Sequence, residues 1–107
     1  IQIKGSNILV LGITFKENCP DVRNTKVVDV IRELKEYGTN ITIYDPWANP
    51  EEVEHEYGLD IKCNLPQGKF DAIVLAVNHK EFDTVNIRSL LKSNGIVSGL
   101  NSGINYI

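Results

Sequence analysis

The stretch Asn7-Ile-Leu-Val-Leu-Gly12 leads into Ile13-Thr-Phe-Lys-Glu-Asn-Cys-Pro-Asp-Val-Arg-Asn-Thr-Lys26 and then into Val27-Val-Asp-Val-Ile-Arg-Glu-Leu-Lys-Glu-Tyr-Gly38. The first run is short, β-rich and bounded by Gly5 and Gly12, the pattern of a central strand buried on both faces. From Thr25 the period changes. Val27, Val28, Ile31 and Leu34 recur at helical spacing, with Asp29, Arg32, Glu33 and Glu36 opposite and Gly38 placed to end the helix. A strand, a loop with mobile positive charge and a helix therefore follow one another, and an open α/β sheet places its ligand at such a loop.

Asn24 or Thr25 is positioned to cap the helix, and the N–H groups of its first turn make a natural anion site facing the loop. Lys16 brings a point charge to that site and Arg23 a planar fork that matches phosphate or carboxylate oxygens. A second reading of the same residues is purely structural: Arg23 pairs with Asp21 or Asp45 to stiffen the loop, and Lys16 points into water. The loop also excludes a ligand. A dinucleotide site needs G-x-G-x-x-G here and an acidic residue about 20 positions on. Only Gly12 is in place, Ile13, Thr14 and Phe15 are bulky, and Asp45 lies too far along, so NAD is not expected to bind this segment.

Outward from this unit the elements continue to alternate. Ile41–Tyr44 reads as a second strand ending at the turn Asp45-Pro46, and 50–57 as an acidic helix opened by Pro50 and closed by Gly58. Ile61–Cys63 reads as a short edge strand and Asp71–Val77 as a continuous apolar strand. Asn86–Ser93 reads as a helix ended by Asn94-Gly95, and Ile96-Val97 begins a last strand. The pattern predicts a single α/β domain, a Rossmann-like doubly wound parallel sheet of about five strands in the order 3-2-1-4-5. The Lys16 loop and the His79 loop both leave from its switch point.

The 107 residues suit one domain, and 42% hydrophobic content is enough for a core. No run approaches the ~18 apolar residues of a membrane span, and no signal peptide opens the chain, so a soluble cytoplasmic protein is expected. A net charge of −3 argues against a nucleic-acid binder, which presents a broad basic face. Cys19 and Cys63 are too few and too separated for a zinc site, and Cys19 reads as a structural thiol. His79 either hydrogen-bonds a nucleotide or a neighbouring domain, or is a surface histidine that starts the turn before Phe82. Trp47 either stacks on a base or packs the turn after Asp45, and His55 sits on a solvated helical face.

The segments Gly12–Gly38, Ile41–Pro46 and Asp71–Phe82 together resemble the C-terminal, nucleotide-sugar-binding domain of the UDP-glucose/GDP-mannose dehydrogenase family, over about Gly5 to Gly95. The wording of the loop is closest to the bacterial branch that acts on UDP-N-acetylhexosamines. The resemblance implies that residues 1–107 are part of a larger NAD-dependent 6-dehydrogenase, which oxidises the C6 hydroxyl of a UDP-sugar to a uronic acid through a covalent thiohemiacetal and thioester. Such products feed capsule or O-antigen synthesis. It further implies that Lys16 reaches the sugar or its phosphate and that the Phe15 backbone helps to hold the ligand. Arg23, with Asp21, shapes the loop and reaches the NAD side of the cleft. NAD, the helical linker and the catalytic cysteine belong to other parts of the polypeptide, so this chain by itself is expected to be half of a binding site, with no catalytic residue and no metal. The partners implied are a UDP-sugar, the enzyme's own NAD domain and linker, and further copies in a homo-oligomer, with neither nucleic acid nor membrane. One departure stands out: Gly99 and Asn101 take the places of an Asp and a basic residue that the family usually carries after its last strand. The alternative is a freestanding Rossmann-like module that binds an anion or a partner without catalysis.

Overall fold

The central strand of the computed structural model, which describes residues 3–100 and the strand backbone of 105–106, is β1 (Asn7–Leu11). It pairs in parallel with β2 (Asn40–Tyr44) on one side and β4 (Phe70–Leu75) on the other, Leu9 lying opposite both Thr42 and Ile73. β3 (Ile61–Lys62) extends the sheet beyond β2, and β5 (Leu91–Gly99) extends it beyond β4. The five parallel strands thus run 3-2-1-4-5, as the alternation of elements predicts. A sixth strand, β6 (Asn105–Tyr106), adds to the β5 edge in the antiparallel sense.

Successive side chains of a strand point to opposite faces, and β1 buries both sets. Ile8 and Val10 join one cluster with Val27, Val28 and Ile31 of α1 (Val27–Glu36) and Val53 of α2 (Pro50–Tyr57). Leu9 and Leu11 join another with Ile73, Phe82, Leu90 and Val97. Both helices therefore cover one face, whereas the β4 to β5 crossover covers the other, which is what places a switch point between β1 and β4. Each fully buried aliphatic side chain in these clusters contributes about 1.5–3 kcal/mol. The Cα radius of gyration, 12.8 Å, is that of a close-packed unit of this length.

The local signals act where the sequence places them. Asn49 caps α2, its side-chain oxygen accepting from the N–H groups of Glu51 and Glu52, with Pro50 in the first turn and Gly58 left-handed at the end. α1 ends through Gly38, whose N–H donates to the Lys35 carbonyl at 2.9 Å. The expectation of a helix over 86–93 is corrected. Ile87–Leu90 forms a single 3-10 turn, and Leu91 already pairs with Phe70 in the sheet. Ile87, Leu90 and Leu91 have helical spacing because the turn and the strand bury them on the same side, not because a helix continues. The next registered pair is Ile96 with Ala72, so residues 92–95 bulge outward and Asn94-Gly95 is part of that irregularity rather than a helix end.

Gly12 ends β1 at φ +95°, and a Cβ added there would stand 2.6 Å from Val77 Cβ and 2.8 Å from the Val77 carbonyl oxygen. The chain after β4 crosses over this spot because the N–H groups of Ala76 and Val77 both donate to the Leu11 carbonyl. Gly58 is also left-handed, at φ +68°, but has open space around it. Gly12→Ala should therefore destabilise by about 2–4 kcal/mol, combining backbone strain with overpacking, and Gly58→Ala by about 1–2 kcal/mol, from backbone strain alone. Urea unfolding of the two variants checks this; equal losses would show that the crossing over Gly12 is not crowded.

Candidate functional site

The loops that leave the C-terminal ends of β1, β2 and β4 converge on Asp45, which is completely buried. Its Oδ2 accepts from the N–H groups of Ile13 at 2.7 Å and Thr14 at 3.3 Å, and from His79 Nε2 at 3.0 Å. Its Oδ1 accepts from the N–H groups of Trp47 at 2.7 Å and Ala48 at 3.1 Å. Burial by itself raises the pKa of this carboxyl. The hydrogen bonds from His79, Ile13 and Trp47 outweigh that effect and hold it below its ordinary value. Arg23 is not a partner of Asp45.

His79 is buried as well, so the expectation of a surface histidine is corrected. It does start the turn before Phe82, whose N–H donates to the His79 carbonyl at 2.9 Å. Its Nδ1 accepts the N–H of Asn18 at 2.9 Å, which leaves Nε2 as the protonated nitrogen, donating toward Asp45 and lying 3.1 Å from Thr14 Oγ1. Thr14 Oγ1 in turn donates to the Lys16 carbonyl at 2.9 Å. The ring is held from the side by Trp47, stacked at 5.9 Å, and by Phe82 at 5.6 Å. Trp47 is therefore a packing residue of this turn, with its Nε1–H donating to Glu81 at 2.7 Å.

The loop between β1 and α1 rests on this base. Asn18 adopts φ +56°, and its side-chain oxygen accepts the Lys80 N–H at 2.7 Å, tying the loop to the segment after β4. The N–H of Phe15 donates to the Asp21 carbonyl at 2.6 Å, while its ring is exposed. Lys16 is exposed too, and its ammonium makes no ion pair among the described residues. Arg23 makes a two-point contact with Asp21, Nε to Oδ1 at 3.0 Å and Nη2 to Oδ2 at 3.2 Å, and its backbone N–H joins the same carboxylate. The Arg23 guanidinium and N–H together lower the Asp21 pKa. Of the two partners that the sequence offers Arg23, Asp21 is the one used. At the entrance to α1 the expected cap by Asn24 or Thr25 is corrected: the cap position falls on Lys26, which makes no side-chain cap, and Thr25, one residue earlier, accepts the Val27 N–H on its Oγ1 at 3.3 Å.

A cleft of about 430 Å³ opens at the switch point, lined by Thr14, Phe15, Thr25, Lys26, Val77 and Leu100 among others. A neighbouring cleft of about 380 Å³ contains Cys19, Asp21, Arg23 and Glu52. The fold thus brings Phe15 to the first, Asp21 and Arg23 to the second, and His79 beneath both loops, while the Lys16 side chain lines neither. Gly99 pairs with Leu75 at the end of β5, and Asn101 lies outside the described residues. Sequence reasoning missed Thr14 and Asn18 as site residues, and it read Asp45 as a turn residue, a candidate partner of Arg23 and an acid too far along to hold a ribose, not as the point on which the loops converge. The available signal was an acid at the buried end of an apolar strand beside a histidine loop, since buried charges must be met by donors. Cys19 is partly buried and Cys63 exposed, and among the described residues no cluster of His, Cys, Asp or Glu forms a metal site.

The residues present do not fit NAD. A dinucleotide turn directs the N–H groups that follow its first strand at the pyrophosphate. Here the N–H groups of Ile13 and Thr14 are committed to Asp45, and Gly12 is covered by Val77.

Because folding lowers the pKa of Asp45, the carboxylate stabilises the protein above its unfolded value of about 3.9, and that stabilisation is lost as pH falls through the lower folded value. Asp45→Asn sets an NH2 group against N–H donors in a buried site. It should cost about 3 kcal/mol or more at neutral pH and flatten the acid limb of the stability curve. Urea unfolding across a pH series measures both effects, and a loss below about 0.5 kcal/mol would remove Asp45 from its central position.

The UDP binding domain of the UDP-glucose/GDP-mannose dehydrogenase family matches residues 9–102. A UDP-N-acetyl-D-glucosamine 6-dehydrogenase of Pseudomonas aeruginosa is 46% identical over 103 residues, covering 94% of this chain and 24% of that protein. One of Salmonella typhi is 48% identical over 82 residues, covering 77% and 19%. The chain therefore spans about a quarter or less of the curated relatives it matches. Among solved structures, a UDP-D-ManNAc dehydrogenase of Pyrococcus horikoshii superimposes with a TM-score of 0.72 at 23% identity, covering 97% of this chain and 23% of that one, which shows the shared fold. With the sheet order, the loop after β1 and the family match in agreement, this chain belongs to the UDP-glucose/GDP-mannose dehydrogenase family and corresponds to its UDP binding domain.

Proposed function

We propose that residues 1–107 are the C-terminal UDP-sugar-binding domain of an NAD-dependent 6-dehydrogenase acting on a UDP-N-acetylhexosamine. The observation that carries this reading is the gradient of identity: 46% and 48% to UDP-N-acetyl-D-glucosamine 6-dehydrogenases, against 34% to the UDP-glucose 6-dehydrogenase TuaD of Bacillus subtilis. The site is compatible with it. Lys16 meets the sugar or its phosphate as an uncommitted cation beside the exposed Phe15, whose backbone helps to hold the ligand. Asp21 and Arg23 keep the loop in shape and face the cofactor side. NAD, which accepts hydride, is bound by a separate N-terminal domain, because the N–H groups after β1 are already occupied here. The whole enzyme is a cytoplasmic bacterial homo-oligomer that makes uronic acids for capsule or O-antigen polysaccharide.

In the full-length enzyme, Lys16→Ala should lower kcat/KM for UDP-N-acetylglucosamine by about ten- to a hundredfold, the equivalent of one charge-assisted contact of about 1.5–3 kcal/mol. Stability should change little, since the Lys16 ammonium makes no ion pair among the described residues. Steady-state NADH production with a parallel thermal melt separates the two, and unchanged kinetics would remove Lys16 from the site. The 107-residue chain titrated with NAD and with UDP-N-acetylglucosamine should bind only the second, and weakly, because half of the cleft is missing. Saturable micromolar NAD binding would contradict the division of labour.

A further inference from the structure

We propose that His79 is a positioning residue that fixes the Lys16 segment of the loop for the substrate. Two chains of hydrogen bonds run from its ring to that segment. Through Nδ1 it receives the Asn18 N–H at 2.9 Å, two residues beyond Lys16. Through Nε2 it meets Thr14 Oγ1 at 3.1 Å, and that hydroxyl donates to the Lys16 carbonyl at 2.9 Å. The main chain on both sides of Lys16 is therefore referenced to one imidazole. The imidazole has no freedom to turn: Asp45 Oδ2 holds Nε2 at 3.0 Å, and Trp47 and Phe82 pack against the ring. Asn18 closes the arrangement from the other side by accepting the Lys80 N–H, so the residue after His79 grips the same loop position that His79 grips.

The two ring nitrogens have separable duties. Nε2 serves both the internal network of Asp45 and the Thr14 branch to the Lys16 carbonyl, whereas Nδ1 serves the Asn18 branch alone. An Asn side chain carries its carboxamide oxygen the same number of bonds from the backbone as Nδ1, and a Gln side chain carries its NH2 group the same number as Nε2. His79→Asn thus keeps an acceptor for Asn18 and gives up the contacts with Asp45 and Thr14, while His79→Gln keeps a donor to Asp45 and Thr14 and gives up the Asn18 branch to the loop.

This inference rests on the reading of Lys16 as a substrate contact, and the test separates the two. In the full-length enzyme, His79→Gln should raise KM for UDP-N-acetylglucosamine by about two- to tenfold, the worth of one neutral hydrogen bond, with a smaller change in kcat. It should also speed amide hydrogen exchange in residues 15–18. His79→Asn should lose more stability than His79→Gln yet lose less in kcat/KM. Combined with Lys16→Ala, His79→Gln should add little further loss, because both act through one contact. A multiplicative double variant, unaltered exchange in residues 15–18, or kinetic losses that simply follow the stability losses would overturn the positioning role. A silent Lys16→Ala would overturn the substrate reading, and with it the claim that the loop is held for substrate, even where the exchange of residues 15–18 responds to His79→Gln.

Discussion

Asp45 is ionised inside the protein with four backbone N–H groups and one ring N–H directed at it, and the relative positions of three strand ends follow from satisfying that charge. An isolated carboxylate moved out of water is among the most costly groups a fold can contain. Here the compensation comes from the His79 ring N–H together with four backbone N–H dipoles, so the geometry tolerates little change: a loop that drifts takes its donor with it. Ile13 and Thr14 come from the end of β1, Trp47 and Ala48 from the turn after β2, and His79 from the end of β4. One carboxylate thereby does for this sheet what a bound pyrophosphate does for a dinucleotide-binding one. It draws the N–H groups of the first turn together with a negative charge, and it leaves none of that charge complementarity for an external ligand.

That substitution explains how one architecture is put to another use. The sheet order and the switch point are those of a doubly wound fold, and they determine where a ligand is met. They do not determine what meets it. With the amides of Ile13 and Thr14 spent on Asp45, they are not available to an anion at the β1 end, where the side chains of Lys16 and Lys26 stand exposed. Two clefts at this end are lined by different parts of the loop, Thr14 and Phe15 in one and Cys19, Asp21 and Arg23 in the other.

Much of this was legible in the sequence because it depends on local rules. The run from Ile8 to Leu11 is apolar at every position, and both of its faces are buried in separate clusters. Pro50 and Gly58 bound α2 by local chemistry that needs no tertiary context. The misreadings have the opposite character. Ile87, Leu90 and Leu91 share a buried side without sharing a helix, because the partner that fixes Leu91 is Phe70, in a different strand. His79 reads as a polar loop residue until Asp45 and Asn18, which lie 34 and 61 positions away, are placed on its two nitrogens. Non-local pairings of this kind leave no periodicity for a sequence reading to detect. The same holds for the choice of Asp21 over Asp45 by Arg23, since both acids are available in the sequence and only burial removes one of them.

The two cations on the loop show what the buried network accomplishes for binding. Arg23 is already engaged by Asp21 in a two-point contact, and as an exposed pair it adds little stability but limits where the guanidinium points. Lys16 makes no ion pair among the described residues. Ordering a flexible backbone costs about 1–2 kcal/mol per residue, whereas immobilising one lysine side chain costs about 2 kcal/mol at most. If the segment from Phe15 to Asn18 had to be ordered on each encounter, the backbone cost alone would exceed what a single charge-assisted contact returns, about 1.5–3 kcal/mol. The bonds from Thr14, Asn18 and Phe15 remove that cost during folding, and they do so with groups internal to this chain. What remains at the moment of binding is the side-chain term of one residue. On the proposed reading of Lys16, a single exposed lysine suffices as a ligand contact because the main chain beneath it has been fixed from below.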